Sequence, residues 1–320
     1  MNNEITKNEI IPAKFQTVLY GYKEYFNYFN TLYSINKLPR TILLNGQRGL
    51  GKFTFSFHFI NYLLSSNYNL KQFKIDSNDS VYINIQNQTH PNFFLIDNNS
   101  SEDSIKIDQS RKLLTFLNKS TFQKDLKIVL IDNIELLNKN SANALLKSLE
   151  EPPENTFFFL INDSSRPILE TIKSRSVQFN IYFNISKKKD IFRKIAEGYN
   201  LDFNENNLEK FLYSDTPGNL LYYLFYLKDS KIDVSENLLN CIFYFIENYK
   251  TKKDNKILNF LSTFIEMFYN DLCIKNTQKI NIYFSKKYKI LNLISESKKF
   301  NLDIKNLLTS INNILKNETR

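Results

Sequence analysis

Cysteine is nearly absent: Cys241 and Cys273 are the whole supply in 320 residues. They stand far apart and in no metal-ligand spacing, which argues against a disulfide framework or a zinc site and fits a reducing cytoplasm. Long apolar runs are missing as well. No uncharged apolar stretch reaches the roughly 18 residues that a membrane-crossing helix needs, so no contact with a membrane is expected. The first residues, Met1-Asn2-Asn3-Glu4, are polar, and no secretory leader is expected from them. Glycine is scarce, six in all. Arginine is scarce too: of 42 basic residues, only positions 40, 48, 111, 166, 175, 193 and 320 are Arg.

What is abundant is Lys, Asn, Ile, Phe and Tyr, the residues that an AT-rich coding sequence favours. The net charge of +9 therefore has two readings, an electrostatic footprint for nucleic acid or compositional drift. The same bias makes an arginine or a glycine that persists more informative. With 42% hydrophobic residues, the chain can bury two or three compact units.

Residues 1–184 alternate short apolar runs with helical patterns, which predicts an α/β domain on a parallel five-stranded sheet. The strands are expected at Thr41–Asn45, Phe93–Ile96, Lys127–Ile131, Thr156–Ile161 and Val177–Phe179, each apolar on both faces. Helices are expected around 51–64, 105–118 and 141–149, with Ser141 as an N-cap and 71–90 as a surface loop or small excursion. From Ser186-Lys187-Lys188-Lys189-Asp190, read as a linker and helix start, every apolar segment has helical spacing, as in Leu258, Leu261, Phe264 and Phe268. Asp215-Thr216-Pro217-Gly218 breaks this pattern. A small helical unit over 185–232 and an all-helical unit over 233–320 are expected.

Two segments carry chemistry. Gly46-Gln47-Arg48-Gly49-Leu50-Gly51-Lys52 follows a strand and opens a helix, and holds three of the six glycines. That is the setting of a phosphate loop, in which backbone N–H groups and the helix N-terminus converge on an anion and the lysine supplies counter-charge. A glycine turn without a ligand is the plainer alternative. The residue after the lysine should carry a hydroxyl for Mg²⁺, but it is Phe53. Thr54 is one residue on, a rotation of about 100° around the helix. The second segment is Lys127–Asp132, a buried strand ending in a carboxylate, as in a Walker B motif. The next position, where a glutamate would polarise water, is Asn133, and an amide takes no proton. Glu135 lies two residues further. Asp132 can also be read as capping the turn after its strand. Gly46, Gly49, Gly51, Lys52, Thr54 and Asp132 form the candidate nucleotide site, degenerate and without a dedicated metal ligand set.

Downstream, SANALLKSLEEPPENTFFFLI (141–161) strongly resembles a segment of bacterial DNA polymerase III clamp-loader subunits, an AAA+ family. TIKSRSVQF (171–179) is similar to the family's Ser-Arg-Cys motif, with Ser176 where Cys is usual. LYGYKEY (19–25), KLPRTILLNG (37–46), HPNFFLI (90–96) and IKIDQSRKL (105–113) look like further landmarks, so that the resemblance covers about 12–232.

The resemblance implies an AAA+ P-loop domain over 1–184, a helical lid over 185–232 and a helical collar over 233–320. The family's hydrolysing tau/gamma subunits carry Lys-Thr, Asp-Glu and a lid arginine. This chain has Lys52-Phe53, Asp132-Asn133, and Gly218 at the arginine position, and looks like the delta-prime branch instead. The four-cysteine zinc module of many members is missing, so no zinc is implied. No cofactor is required, although residual ATP or ADP binding is compatible with the loop. Arg175 falls where the family's arginine finger sits. No neighbouring acid is apparent to hold it as a structural ion pair. The implied partners are tau/gamma and delta subunits, the sliding clamp and primed DNA. An ATP-hydrolysing tau/gamma-type subunit, another AAA+ ATPase, or a nucleic-acid-binding module resting on the +9 charge are the alternatives.

Overall fold

The structure, a computed structural model, describes residues 10–97, 104–121, 124–201, 203, 205–228, 238–252, 255–300 and 304–316. It comprises two compact units, Met1–Leu201 with Thr216–Gly218, and Asp202–Asp215 with Asn219–Arg320.

In the first unit the strands are β1 (Thr41–Gly46), β2 (Phe93–Ile96), β3 (Lys127–Ile131), β4 (Thr156–Asp163) and β5 (Val177–Asn180). They form one five-stranded sheet in the order β2-β3-β4-β1-β5, and every pairing is parallel. The sequence reading placed each of them, with β4 running on to Asp163. The helices are α1 (Lys23–Ser34), α2 (Lys52–Leu64), α3 (Ser80–Gln86), α4 (Ile107–Leu117), α5 (Lys139–Glu150), α6 (Glu170–Lys173) and α7 (Ile185–Tyr199).

Alternate residues of the central strands enter two separate cores, because successive side chains on a strand point to opposite faces. Ile42, Leu44, Ile128, Leu130, Phe159 and Ile161 pack with Phe26 and Phe29 of α1 and Phe55 and Phe59 of α2. Leu43, Val129, Ile131, Phe158 and Leu160 pack with Leu113 and Leu117 of α4 and Leu145 and Leu149 of α5. Phe29 meets Phe55 edge-on at a 5.3 Å centroid separation, and Phe26 meets Phe59 at 5.2 Å. Each such ring contributes about 1.5–3 kcal/mol by leaving water. A sheet covered on both faces by helices explains why its strands read as unbroken apolar runs.

Two local readings are corrected. Asn138, not Ser141, caps α5: its side chain accepts the Ser141 N–H at 2.8 Å, while the buried Ser141 hydroxyl donates to the Ile105 carbonyl at 2.9 Å. An asparagine at this position satisfies a free helix N–H as well as a serine does. The stretch Ser186–Asp190 is the first turn of α7, capped by Asn184, and not a linker. The span 71–90 contains α3, capped by Asp79. His58 is wholly buried on α2, its ring nitrogens 3.0 Å from the Gln16 carbonyl and 3.1 Å from the Tyr68 hydroxyl.

The second unit is helical among the described residues: α8 (Glu205–Ser214), most of α9 (Pro217–Leu227), α10 (Leu238–Lys252), α11 (Asn255–Lys275), α12 (Ile280–Phe300) and α13 (Ile304–Lys316). Successive helices from α10 to α13 pack on one another, and α13 returns to α10. Ile242, Phe245, Leu258, Leu261, Phe264, Ile290, Ile294, Leu308 and Ile311 are buried. Cys241 is buried and Cys273 half-buried, both as free thiols. Among the described residues, no helix is long and apolar enough to cross a membrane, and no three His, Cys, Asp or Glu residues are arranged to hold a metal ion.

Candidate functional site

The phosphate loop joins the carboxyl end of β1 to the N-terminus of α2. Gly49 and Gly51 have φ of 82° and 84°, the left-handed conformation that glycine adopts without a steric penalty. The loop is tied at each of its carbonyls. Lys52 turns its ammonium group back onto the Gly46 and Gln47 carbonyls at 2.6 and 2.7 Å. Thr216 donates its hydroxyl to Arg48 O at 2.8 Å, Gly218 its N–H to Gly49 O at 3.0 Å, and Tyr22 its hydroxyl to Leu50 O at 2.9 Å. Burial draws the Lys52 pKa down to about 8, against the pull of Asp163, Asp132 and Glu135.

Phe53 stacks on Phe57 at 5.9 Å and packs against the apolar core, so no hydroxyl follows the loop lysine. Thr54 is half-buried one step further round α2. At the carboxyl end of β3, Asp132 is held by its own neighbour. The Asn133 backbone N–H and side-chain amide each donate to one carboxylate oxygen at 3.0 Å, with Asn133 at φ 54°. Burial, then the nearby charge of Asp97, pushes the Asp132 pKa up to about 6. Glu135 is engaged elsewhere: its carboxylate accepts the Asp163 N–H at 3.3 Å, and burial raises its pKa. The backbone thus fits a phosphate group, while the side chains depart from the pattern of a site that hydrolyses a Mg²⁺-nucleotide. The hydroxyl after the loop lysine is missing, the acid at β3 is bonded to an amide, and Glu135 is turned to the Asp163 N–H.

Position 218 adds a steric fact. A Cβ built there would lie 2.6 Å from the Gly49 carbonyl oxygen, inside any real contact distance. No side chain fits at that position on this backbone, an arginine included.

Sequence reasoning missed a row of amides across the sheet's carboxyl edge. Asn162 donates to Asn45 at 2.9 Å, and Asn45 to Asn180 at 3.0 Å, with the buried Asn162 Oδ1 left unpartnered. The signal was strand register, which pairs Asn45 with both Asn162 and Asn180. In a chain so rich in asparagine, composition hid it. At the other edge, a surface cavity of about 440 Å³ is lined by Tyr33, Arg40, Asp125 and Phe157, among others, and takes no part in the phosphate loop.

Arg175 follows α6, just before β5. Since β5 runs parallel to β1 with Val177 opposite Ile42, Arg175 sits beside the start of β1, while the loop leaves its far end at Gly46. The strand from Ile42 to Gly46 alone spans four residues, on the order of 13 Å, and Arg175 lies two positions before the residue opposite Ile42. Arg175 and its own phosphate loop are therefore not brought together. The expectation that no acid holds Arg175 is overturned: its Nε–H donates to Glu150 Oε2 at 2.9 Å, and Nη1 donates to the Thr171 carbonyl at 3.0 Å. Glu150 is 25 positions away in sequence, at the end of α5, and tertiary folding alone makes the pair.

The strand order, the glycine loop after β1 and the carboxylate at the end of β3 define a P-loop NTPase domain of the AAA+ type. Within that class, the chain belongs to the family described as DNA polymerase III, delta subunit, whose model matches residues 21–184. It is similar to the DNA polymerase III subunit delta' of Pseudomonas aeruginosa, 43% identical over 90 residues, or 28% of this chain and 27% of that protein. It is also similar to the delta' subunit of Buchnera aphidicola subsp. Baizongia pistaciae, 27% identical over 236 residues, or 71% of this chain and 67% of the relative. The chain thus spans about a quarter of the first relative and two thirds of the second. Among solved structures, it resembles a DNA polymerase III gamma subunit-related protein of Thermotoga maritima, with a TM-score of 0.48, 19% identity, and coverage of 91% of this chain and 99% of that one.

Proposed function

We propose that this chain is a delta-prime-type stator of a DNA polymerase III clamp loader, unable to hydrolyse ATP itself and supplying Arg175 to ATP held by a neighbouring subunit. The observation that carries this reading is the position of Arg175 about a strand's length from its own loop, which keeps the guanidinium from serving that loop. Phe53, Asn133 and the occupied space at Gly218 support the same conclusion from the other side, since each removes a part of the hydrolytic machinery. A planar, permanently charged fork suits the charge that builds on a transferred phosphoryl group. In this reading the helices after 233 act as the collar that joins the ring of tau/gamma and delta subunits, 185–232 acts as a lid, and the ring places the sliding clamp on primed DNA.

Co-purification with the other loader subunits, followed by ATPase assays of the chain alone and of the complex, tests the proposal. The chain alone is expected to show no turnover above a Lys52→Ala control. Turnover clearly above that control would make it an ATPase of the tau/gamma type.

A further inference from the structure

We infer that Glu150 is a positioning residue for Arg175, fixing the guanidinium so that its outer edge is presented to a phosphate; the inference rests on the finger reading proposed above. Glu150 closes α5 and Arg175 follows α6, so β4 and the turn after it separate them in sequence. They meet through a single well-formed contact, Nε–H to Oε2 at 2.9 Å. On its other side the guanidinium is held by Nη1 donating to Thr171 O at 3.0 Å.

A guanidinium is planar and carries five donors in a rigid fork. Anchoring two donors on different nitrogens sets its location and the orientation of its plane. Three donors remain, both on Nη2 and one on Nη1. Of these, one Nη2 donor lies on the end-on edge, where paired Nη1 and Nη2 donors meet two oxygens of a phosphate at once. The side chain is 28% exposed and that of Glu150 58%, so the pair lies at the surface, where a phosphate can reach it.

A carboxylate that stowed the arginine would take two parallel donors from one edge. Glu150 takes Nε alone and leaves the Nη2 donors to another acceptor. What it supplies is pre-organisation: the side chain does not have to be ordered when the phosphate arrives. Glu151, the next residue and also a glutamate, has no such contact with Arg175 and serves as an internal control.

The test uses the assembled loader, with the ATP-binding subunits that do not face Arg175 inactivated at their loop lysines. ATP turnover is measured against ATP concentration. Glu150→Gln keeps an acceptor for Nε–H and is expected to stay within about twofold of the native chain. Glu150→Ala is expected to lower kcat roughly tenfold with little change in KM, the pattern of a misplaced but present group. Glu151→Ala is expected to change nothing. Arg175→Ala is expected to lose on the order of 10³-fold, and adding Glu150→Ala to it should lower turnover no further. Unaltered thermal melting of each isolated variant shows that turnover reports on the site and not on folding.

Native turnover in Glu150→Ala beside a defective Arg175→Ala would remove Glu150 from the site and leave the finger standing. Raised turnover in Glu150→Ala would make the contact a restraint, and a further loss in the double variant would give Glu150 a separate role; either overturns the inference. Full turnover in Arg175→Ala would overturn the finger reading itself.

Discussion

Gly218 donates its backbone N–H to the Gly49 carbonyl at 3.0 Å, and a Cβ at position 218 would stand 2.6 Å from that same oxygen. Thr216, two residues earlier, donates its hydroxyl to the adjacent Arg48 carbonyl. The Thr-Pro-Gly turn is thus a backbone clamp on the phosphate loop, at the position where the motif comparison expects a catalytic arginine in hydrolysing subunits.

Gly218→Ala should therefore destabilise the fold by about 1–3 kcal/mol, the usual range for forcing a methyl group into filled space. Urea or thermal unfolding measures it directly. A triple variant, Phe53→Thr, Asn133→Glu and Gly218→Arg, restores the three missing chemical groups on paper. It should remain a poor ATPase, because an arginine cannot enter at 218 without moving the loop. Robust turnover by that variant would show that the loop yields easily.

Arg175→Ala should leave the isolated chain's stability almost unchanged. The Arg175–Glu150 pair is partly exposed, and such pairs contribute about 0–1 kcal/mol. Under the finger proposal, in which Arg175 serves one ATP site of several, the same change should depress ATP turnover of the assembled loader only partially, while clamp loading falls further. Lys at 175 should rescue poorly, because an ammonium cannot hold two anchors and still present an open edge. A large drop in melting temperature with normal loading would make Arg175 a structural residue instead.

Buried His58 and half-buried Asp132 should give stability acid dependences of opposite sign. Burial lowers the His58 pKa to about 4 from an ordinary 6.5. The unfolded chain therefore binds this proton first, and the contribution of neutral His58, present above about pH 6.5, is lost as pH falls toward 4. Its full size is about 3 kcal/mol. Asp132 works the other way. Its pKa is raised to about 6, so the folded chain binds the proton first, and stability gains as pH falls through 6 toward 4. Stability of a His58→Gln variant, measured by denaturant titration from pH 7.5 to 4, should fall less steeply with acid than that of the native chain. Parallel profiles would mean that His58 is not buried as described.

Along α12, Ile280, Phe284 and Tyr288 recur every four residues and are 44, 60 and 62% exposed, an apolar stripe on one helical face. Under the collar proposal, this face meets a neighbouring subunit. Phe284→Asp should sharply reduce recovery of the chain in the loader complex without lowering its own melting temperature. Unchanged recovery would point to another face of the helical unit.

Much of the first unit was legible in the sequence, because its information is local. Each strand is a short apolar run buried on both faces, and the glycine loop announces itself between a strand and a helix. Phe53 and Asn133 could likewise be read as departures from the motif, since a phenyl ring carries no hydroxyl and an amide no carboxylate in any fold. What the sequence could not determine were contacts between distant positions. Glu150 and Arg175 become partners only when α5 and α6 are brought together, and the sequence reading placed no acid beside Arg175. That Gly218 seals the loop, and not merely lacks an arginine, depends on a distance of 2.6 Å to a carbonyl 169 positions upstream. Asn45, Asn162 and Asn180 look like three among many asparagines until strand register aligns them. Whether Arg175 could serve its own loop was also a tertiary question. Parallel pairing of β1 with β5 sends the loop to one edge of the sheet and leaves the arginine at the other.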